Sequence, residues 1–215
     1  MTAARPEVAQ LRAKVLAVNR ELPASGLVTL TWGNASEIDR DLGTVAIKPS
    51  GVAYDELTLS DVIVLDLDGN VVDGRGRPST DTPTHLALYR AFPAIGGVVH
   101  THSSWATAWA QAEREIPLLG TTHADLSPHA IPLTRQLTEE EIEAGYEAAT
   151  GTALIEAIAG VGPVELPCAL VRQHGPFCWA DDAAAALAVA ITLDPALRRK
   201  HFERKHGPRA YYGQP

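Results

Sequence analysis

The sequence predicts an α/β fold built on a mixed, largely antiparallel sheet, and three observations lead there. Short β-branched segments bounded by Gly, Pro, Asn and Asp recur along the 215 residues. Helical patterns fall between some of these segments but not all, so the strict alternation that a parallel sheet requires is absent. Polar and titratable residues gather where the apolar segments end, as at Val98-Val99-His100-Thr101-His102. No linker divides the chain, and 46% hydrophobic residues suit the core of a single domain spanning residues 1–215.

The elements follow in order. Met1 to Arg20 alternates charge with Val8, Leu11, Val15 and Val18, the pattern of an amphipathic helix, and it lacks the apolar core of a signal peptide. Leu27 to Thr31 and Thr44 to Ile47 alternate like strands. Val62 to Asp66 and Val71-Val72 flank Asp68-Gly69-Asn70, a hairpin signal. Thr82-Pro83 opens a helix to Phe92, with a capping threonine and a first-turn proline. The strand that carries the two histidines comes next, then a helix from Ser104 to Gln111. Thr138-Glu139-Glu140-Glu141 is a capping box opening a long helix to about Ala159, interrupted in propensity by Gly145 and Gly151. Cys168 to Val171 is an apolar strand leading into the tight turn Gln173-His174-Gly175-Pro176. Asp181-Asp182 precede a final Ala-rich helix from Ala183, and Asp194-Pro195 predicts its interruption.

Composition excludes several functions. A net charge of −8, from 18 basic against 26 acidic residues, does not supply the basic surface that nucleic acid requires. No run approaches the roughly 18 apolar residues of a membrane span. Cys168 and Cys178 lack metal-ligand spacing and read as reduced core thiols of a cytoplasmic protein.

On a strand, His100 and His102 point to one face with backbones about 6–7 Å apart, so two imidazoles can close on one ion. The plainer reading is two polar residues at a strand end bonded to neighbours. Asn34, Ser50, Gly51, Ser79, Thr80, Asp81, Asp125 and His174 also sit at predicted strand ends. Three histidines and a carboxylate suit a divalent transition metal, with imidazole favouring zinc and a position left for substrate.

Six segments carry a recognisable pattern. They are Thr31-Trp32-Gly33-Asn34-Ala35-Ser36, Lys48-Pro49-Ser50-Gly51-Val52, Pro78-Ser79-Thr80-Asp81-Thr82-Pro83-Thr84-His85, His100-Thr101-His102-Ser103, Gly120-Thr121-Thr122-His123-Ala124-Asp125 and His174-Gly175-Pro176-Phe177. Together with a tail containing Lys205-His206-Gly207 and Ala210-Tyr211-Tyr212-Gly213-Gln214, they resemble the class II aldolase/adducin family over nearly the whole chain. The likeness is strongest to its branch of epimerases acting on L-ribulose 5-phosphate.

The resemblance implies a three-layer α/β/α fold with a central, largely antiparallel mixed sheet. It implies one zinc ion per subunit on Asp81, His100, His102 and His174. Asn34, Lys48, Ser50, Gly51, Ser79 and Thr80 match positions that hold the phosphate and nearby oxygens of a phosphorylated pentulose. Asp125 and Tyr212 match an acid/base pair, His201 a residue contributed across a subunit interface, and Thr121 and Glu147 supporting positions. The implied assembly is a homotetramer with active sites between subunits. The implied reaction is retro-aldol cleavage between C3 and C4 of L-ribulose 5-phosphate, then re-addition to give D-xylulose 5-phosphate.

Two other readings stay open. Fuculose-phosphate-type aldolases share the scaffold, although they place a glutamate where this chain has Asp81, and adducin uses the fold for interaction without catalysis. The chain departs from the resembled pattern after Leu193, where the family carries several more turns of helix and loop. Of the remaining histidines, His85, His129 and His206 read as structural, and His123 as a residue that could orient Asp125.

Overall fold

The computed structural model of the chain describes the backbone of residues 6–118 and 120–206, with side chains as far as residue 194. Seven strands form a single sheet: β1 (Asn34–Asp39), β2 (Thr44–Ile47), β3 (Ile63–Asp66), β4 (Val71–Asp73), β5 (Gly97–His100), β6 (Cys168–Leu170) and β7 (Pro176–Ala180). Their order is β4-β3-β2-β1-β5-β7-β6, and every pair is antiparallel. Six helices accompany them: α1 (Pro6–Ser25), α2 (Thr82–Ala91), α3 (Ser104–Gln111), α4 (Thr121–Leu126), α5 (Glu139–Ile158) and α6 (Ala183–His206).

Alternation along the strands divides the core between two faces. Ala35, Val99, Cys178 and Cys168 point to one face, against Val18 and Leu22 of α1, Ala106 of α3 and Leu187 of α6. Ile38, Val98, Phe177, Trp179 and Ala169 point to the other, against Leu86 and Tyr89 of α2 and Leu154 and Ile158 of α5. The result is the expected three-layer α/β/α arrangement. Among the described residues no helix is long and apolar enough to cross a membrane. Both cysteines are free and buried, opposite one another across β6 and β7.

Several elements depart from expectation. Leu27 to Thr31 is not a strand: Leu30 turns at φ 53°, and only a single bridge joins Thr29 to Trp32. The strand begins instead at Asn34, in the polar stretch Asn-Ala-Ser-Glu-Ile-Asp. Most of its buried polar groups meet tertiary partners, Asn34 Oδ1 being an exception among the described residues. Asn19 of α1 both donates to the Ala35 carbonyl and accepts from its amide. Ser36 bonds His85 and Tyr89, while Glu37 accepts from Lys14 and from the Ala183 amide. Such partners remove the desolvation cost that would otherwise keep these residues out of a central strand.

Strand β5 ends at His100, so His102 lies beyond it rather than on its alternating face. Strand β7 and helix α4 were not anticipated. Helix α6 runs through Asp194-Pro195 where a break was expected. Asp194 is tied into the fold, its Oδ1 accepting from the Trp105 and Ala106 amides at 3.2 and 3.4 Å. A carboxylate on the first turn of α3 meets the positive end of that helix. The capping box on α5 is present in both directions, Thr138 with Glu141, and Gly145 leaves helical geometry inside that helix.

Candidate metal centre and active site

At one end of the sheet, register places Asn34 of β1, His100 of β5 and Phe177 of β7 side by side. His100 is 1% exposed. Its Nδ1 lies 3.0 Å from the Pro176 carbonyl, which can only accept, so Nδ1 carries the proton and Nε2 keeps a lone pair. The Phe177 ring stacks on this imidazole at 4.1 Å and 17°. His102, just past the strand, and His174, on the turn before β7, bring their Nε2 atoms to the same point. The His100 and His102 Nε2 atoms are 3.0 Å apart, and those of His102 and His174 3.2 Å.

The turn that carries His174 depends on Gly175, where a Cβ would come within 2.8 Å of the Thr101 carbonyl. Gln173 turns at φ 59°, and its amide is anchored to the Ala110 carbonyl. Burial and the neighbouring imidazoles lower His174 to about 4, and burial lowers His102. Both rings are therefore neutral at pH 7. Neutral rings with converging nitrogen lone pairs are a donor set suited to a transition metal.

Asp81 lines the same cavity, beside rather than within the tight histidine group. Its Oδ2 accepts from Asn34 Nδ2 at 2.6 Å. Burial pushes this carboxyl up, but the fields of His100 and His85 and the Asn34 bond more than offset that, and the net shift is downward. The carboxylate is held ionised.

Two loops build the opposite wall. Ser50 N bonds the Arg77 carbonyl and Ser79 N the Lys48 carbonyl, which pairs the Lys48-Pro49-Ser50-Gly51 turn with the Pro78-Ser79-Thr80-Asp81 segment. Gly51 adopts φ +74°, the left-handed region that favours glycine. Lys48 is 2% exposed, yet among the described residues its ammonium meets the Pro49 carbonyl at 3.3 Å and the Tyr54 ring at 4.9 Å. Burial lowers it to about 8. A buried cation without a counter-ion among the described residues carries a desolvation cost that a bound anion would offset.

The cavity holds about 520 Å³. It brings together Asn34, Lys48, Ser50, Gly51, Ser79, Thr80, Asp81, His100, His102, Glu147 and His174. Thr121 and Asp125 are exposed on α4, outside this lining. His201 falls on the backbone of α6, where its side chain is not described, and Tyr212 lies outside the described residues, as does the tail motif after His206.

His85 is structural, as expected: its Nδ1 meets Ser36 and its ring lies edge-on to Phe177. His129 pairs with Glu165 at 3.0 Å. His123 is buried on α4 and does not bond Asp125, its ring nitrogens lacking hydrogen-bond partners among the described residues. A second cleft of about 470 Å³ lies between α1 and β1, but its Lys14 and Glu37 pair with each other and no histidine lines it.

Sequence reasoning missed Tyr146, Trp32, Tyr54 and Phe177 as parts of the site. Tyr146 follows Gly145, whose placement inside a helical pattern was the available signal. Tyr54 donates to the Gly33 carbonyl at 2.8 Å and underlies Lys48. No periodicity announces that role.

Comparison with known proteins is consistent with this geometry. Residues 13–200 match the family model described as the class II aldolase and adducin N-terminal domain. A protein of Salmonella paratyphi B named L-ribulose-5-phosphate 4-epimerase UlaF is 52% identical over 225 residues, covering 95% of this chain and 99% of the relative. One of Salmonella typhi with the same name is 51% identical with the same coverage. Those 225 aligned positions exceed the part of this chain they cover, so the relatives carry residues that it lacks. Among solved structures, an L-fuculose 1-phosphate aldolase superposes with TM-score 0.80 at 22% identity, covering 96% of this chain and 89% of that one. An l-fuculose-1-phosphate aldolase of Thermus thermophilus gives 0.72 at 23% identity, covering 97% and 100%. At these identities the likeness is one of fold.

Proposed function

Because the chain belongs to the class II aldolase and adducin family, we propose that it is a zinc-dependent L-ribulose-5-phosphate 4-epimerase, working as one domain in the cytoplasm. The observation that carries this is the meeting, in a single cavity, of three converging imidazoles and a buried lysine that has no counter-ion among the described residues. The relatives that share half of its residues over nearly their whole length are named for this activity.

His100, His102 and His174 would hold the metal, with Asp81 beside them as a further ligand. Bound there, zinc would supply Lewis-acid chemistry suited to a ketose carbonyl and to the charge released when the C3–C4 bond breaks. Lys48, with Asn34, Ser50, Gly51, Ser79 and Thr80, holds the phosphate and nearby oxygens of the substrate. Small hydroxyl residues and a glycine let backbone amides approach an anion closely. Thr121 and Glu147 support the reacting groups.

Cleavage requires a base within hydrogen-bond reach of the C4 hydroxyl, and re-addition to the other face of the aldehyde requires an acid on the opposite side. The base takes the O4 proton as the C3–C4 electron pair moves toward C2, leaving glycolaldehyde phosphate. After rotation, the pair re-forms C3–C4 and the acid returns a proton to O4. Asp125 and Tyr212 are this pair. Asp125 lies outside the cavity lined by its own chain, and the family resemblance supports a homotetramer in which Tyr212 and His201 are contributed across a subunit interface.

The test is product identification. Zinc-loaded protein given L-ribulose 5-phosphate is expected to return D-xylulose 5-phosphate with no free glycolaldehyde phosphate, and the His100→Asn variant is expected to lose this turnover. Accumulating fragments would make it an aldolase. Unaltered substrate beside zinc-replete protein would favour an interaction domain.

A further inference from the structure

Tyr146 forms part of the wall between the metal cavity and a smaller one lined by Arg135 and Arg172. Its hydroxyl lies 2.9 Å from Nδ1 of His174, and the rings are 6.0 Å apart. The residue stands on α5 directly after Gly145, whose φ of 157° and ψ of 95° break the helix just there. Thr150 bonds the Tyr146 carbonyl at 2.8 Å, fixing the first turn after the break.

We propose that Tyr146 is a positioning residue for the metal centre, holding His174 with Nδ1 protonated and Nε2 turned to the ion. Nε2 of His174 faces the other two imidazoles. An imidazole that ligates through Nε2 carries its proton on Nδ1 and orients best when that proton has an acceptor. His100 has a carbonyl in this role, that of Pro176. His174 has Tyr146.

Both acceptors are neutral. A carboxylate in either place would push electron density onto the ring and blunt the charge of the ion, whereas a carbonyl and a phenol orient the rings and leave its Lewis acidity high. The inference rests on the metal reading of the site and adds a residue to it.

Zinc binding in the absence of sugar tests it, by competition with a chromophoric chelator. Tyr146→Phe is expected to weaken zinc by about 10–100-fold, the range for loss of a partner behind a ligand. Tyr146→Gln, which restores an acceptor, should recover part of that loss. In metal-free wild-type protein, ¹⁵N-edited spectra should show His174 protonated at Nδ1, and in Tyr146→Phe a mixture of tautomers. Equal zinc affinity in wild type and Tyr146→Phe, or an Nε2-protonated His174 in the wild type, would overturn the proposal. Failure of wild type itself to bind zinc would instead overturn the metal reading beneath it. The wild-type spectrum decides the matter even if the phenylalanine variant does not fold.

Discussion

Phe177 and His100 are direct partners across β5 and β7, and their rings stack at 4.1 Å with 17° between planes. The phenylalanine is fully buried and its ring also meets His85 edge-on. The ring that presents Nε2 to the ion is thus clamped by an aromatic face, while the neighbouring Pro176 carbonyl fixes its tautomer. Loss of an aromatic pair costs about 0.5–1.5 kcal/mol beyond area. Phe177→Leu is therefore expected to lower unfolding free energy by about 1–2 kcal/mol and to weaken zinc several-fold. Urea unfolding of the metal-free protein and chelator competition read the two effects separately. Unchanged zinc affinity beside reduced stability would mean that the stack serves packing alone.

Lys48 gives opposite signs for stability and binding. Its folded value of about 8 is below the ordinary 10.5 because burial penalises the ammonium. Below pH 8 both folded and unfolded chains carry the charge, and the folded chain bears the full cost. Between about 8 and 10.5 the folded chain gives up its proton first, and the cost fades. Lys48→Met is expected to stabilise the free protein at pH 7 by about 1–3 kcal/mol, a gain that shrinks as pH rises toward 10.5. The same variant should raise KM for the phosphorylated substrate at least ~10-fold, since a charged hydrogen bond to an anion is removed. Paired unfolding curves at pH 7 and pH 10, with KM at pH 7, check both. A variant less stable at pH 7 would mean that the ammonium has a counter-charge in the folded protein.

Much of this arrangement was legible from residues alone, and the exceptions have physical causes. Apolar strands such as Cys168–Leu170, the first-turn proline of α2 and the capping box of α5 carry their signals locally, although the N-cap of α2 is Asp81 rather than Thr82 and makes no side-chain cap bond. Strand β1 carries no such signal, because Asn34, Ser36 and Glu37 are polar residues whose partners come from Asp81 just before α2, from α2 itself, and from α1 and α6, none of which the local pattern announces. The histidine pair was recognised, but by alternation along a strand that stops at His100. It is the loop after β5 that delivers His102. Tyr146 was passed over for its neighbour Glu147, since a tyrosine within a helix looks like packing until His174, distant in sequence, is seen against it.

The separation of Asp125 from the cavity of its own chain makes the assembly testable. Asp125→Asn leaves the metal ligands intact but removes one member of the acid/base pair. His100→Asn leaves Asp125 intact but removes a ligand. Each variant alone is expected to be nearly inactive. If every site joins ligands from one copy to Asp125 of the next, subunits exchanged between the two variants create some sites with both intact halves. Random mixing in a ring should restore about a quarter of wild-type activity, the statistical share of interfaces that take the intact half from each side. The check is to mix, dissociate gently, reassemble and assay, with each variant carried through the same cycle alone. Recovery near that share would assign Asp125 to the neighbouring site. No recovery, in hybrids shown by native mass spectrometry to have formed, would mean that Asp125 serves its own chain or none, and the acid/base pair would have to be sought among residues already lining the cavity.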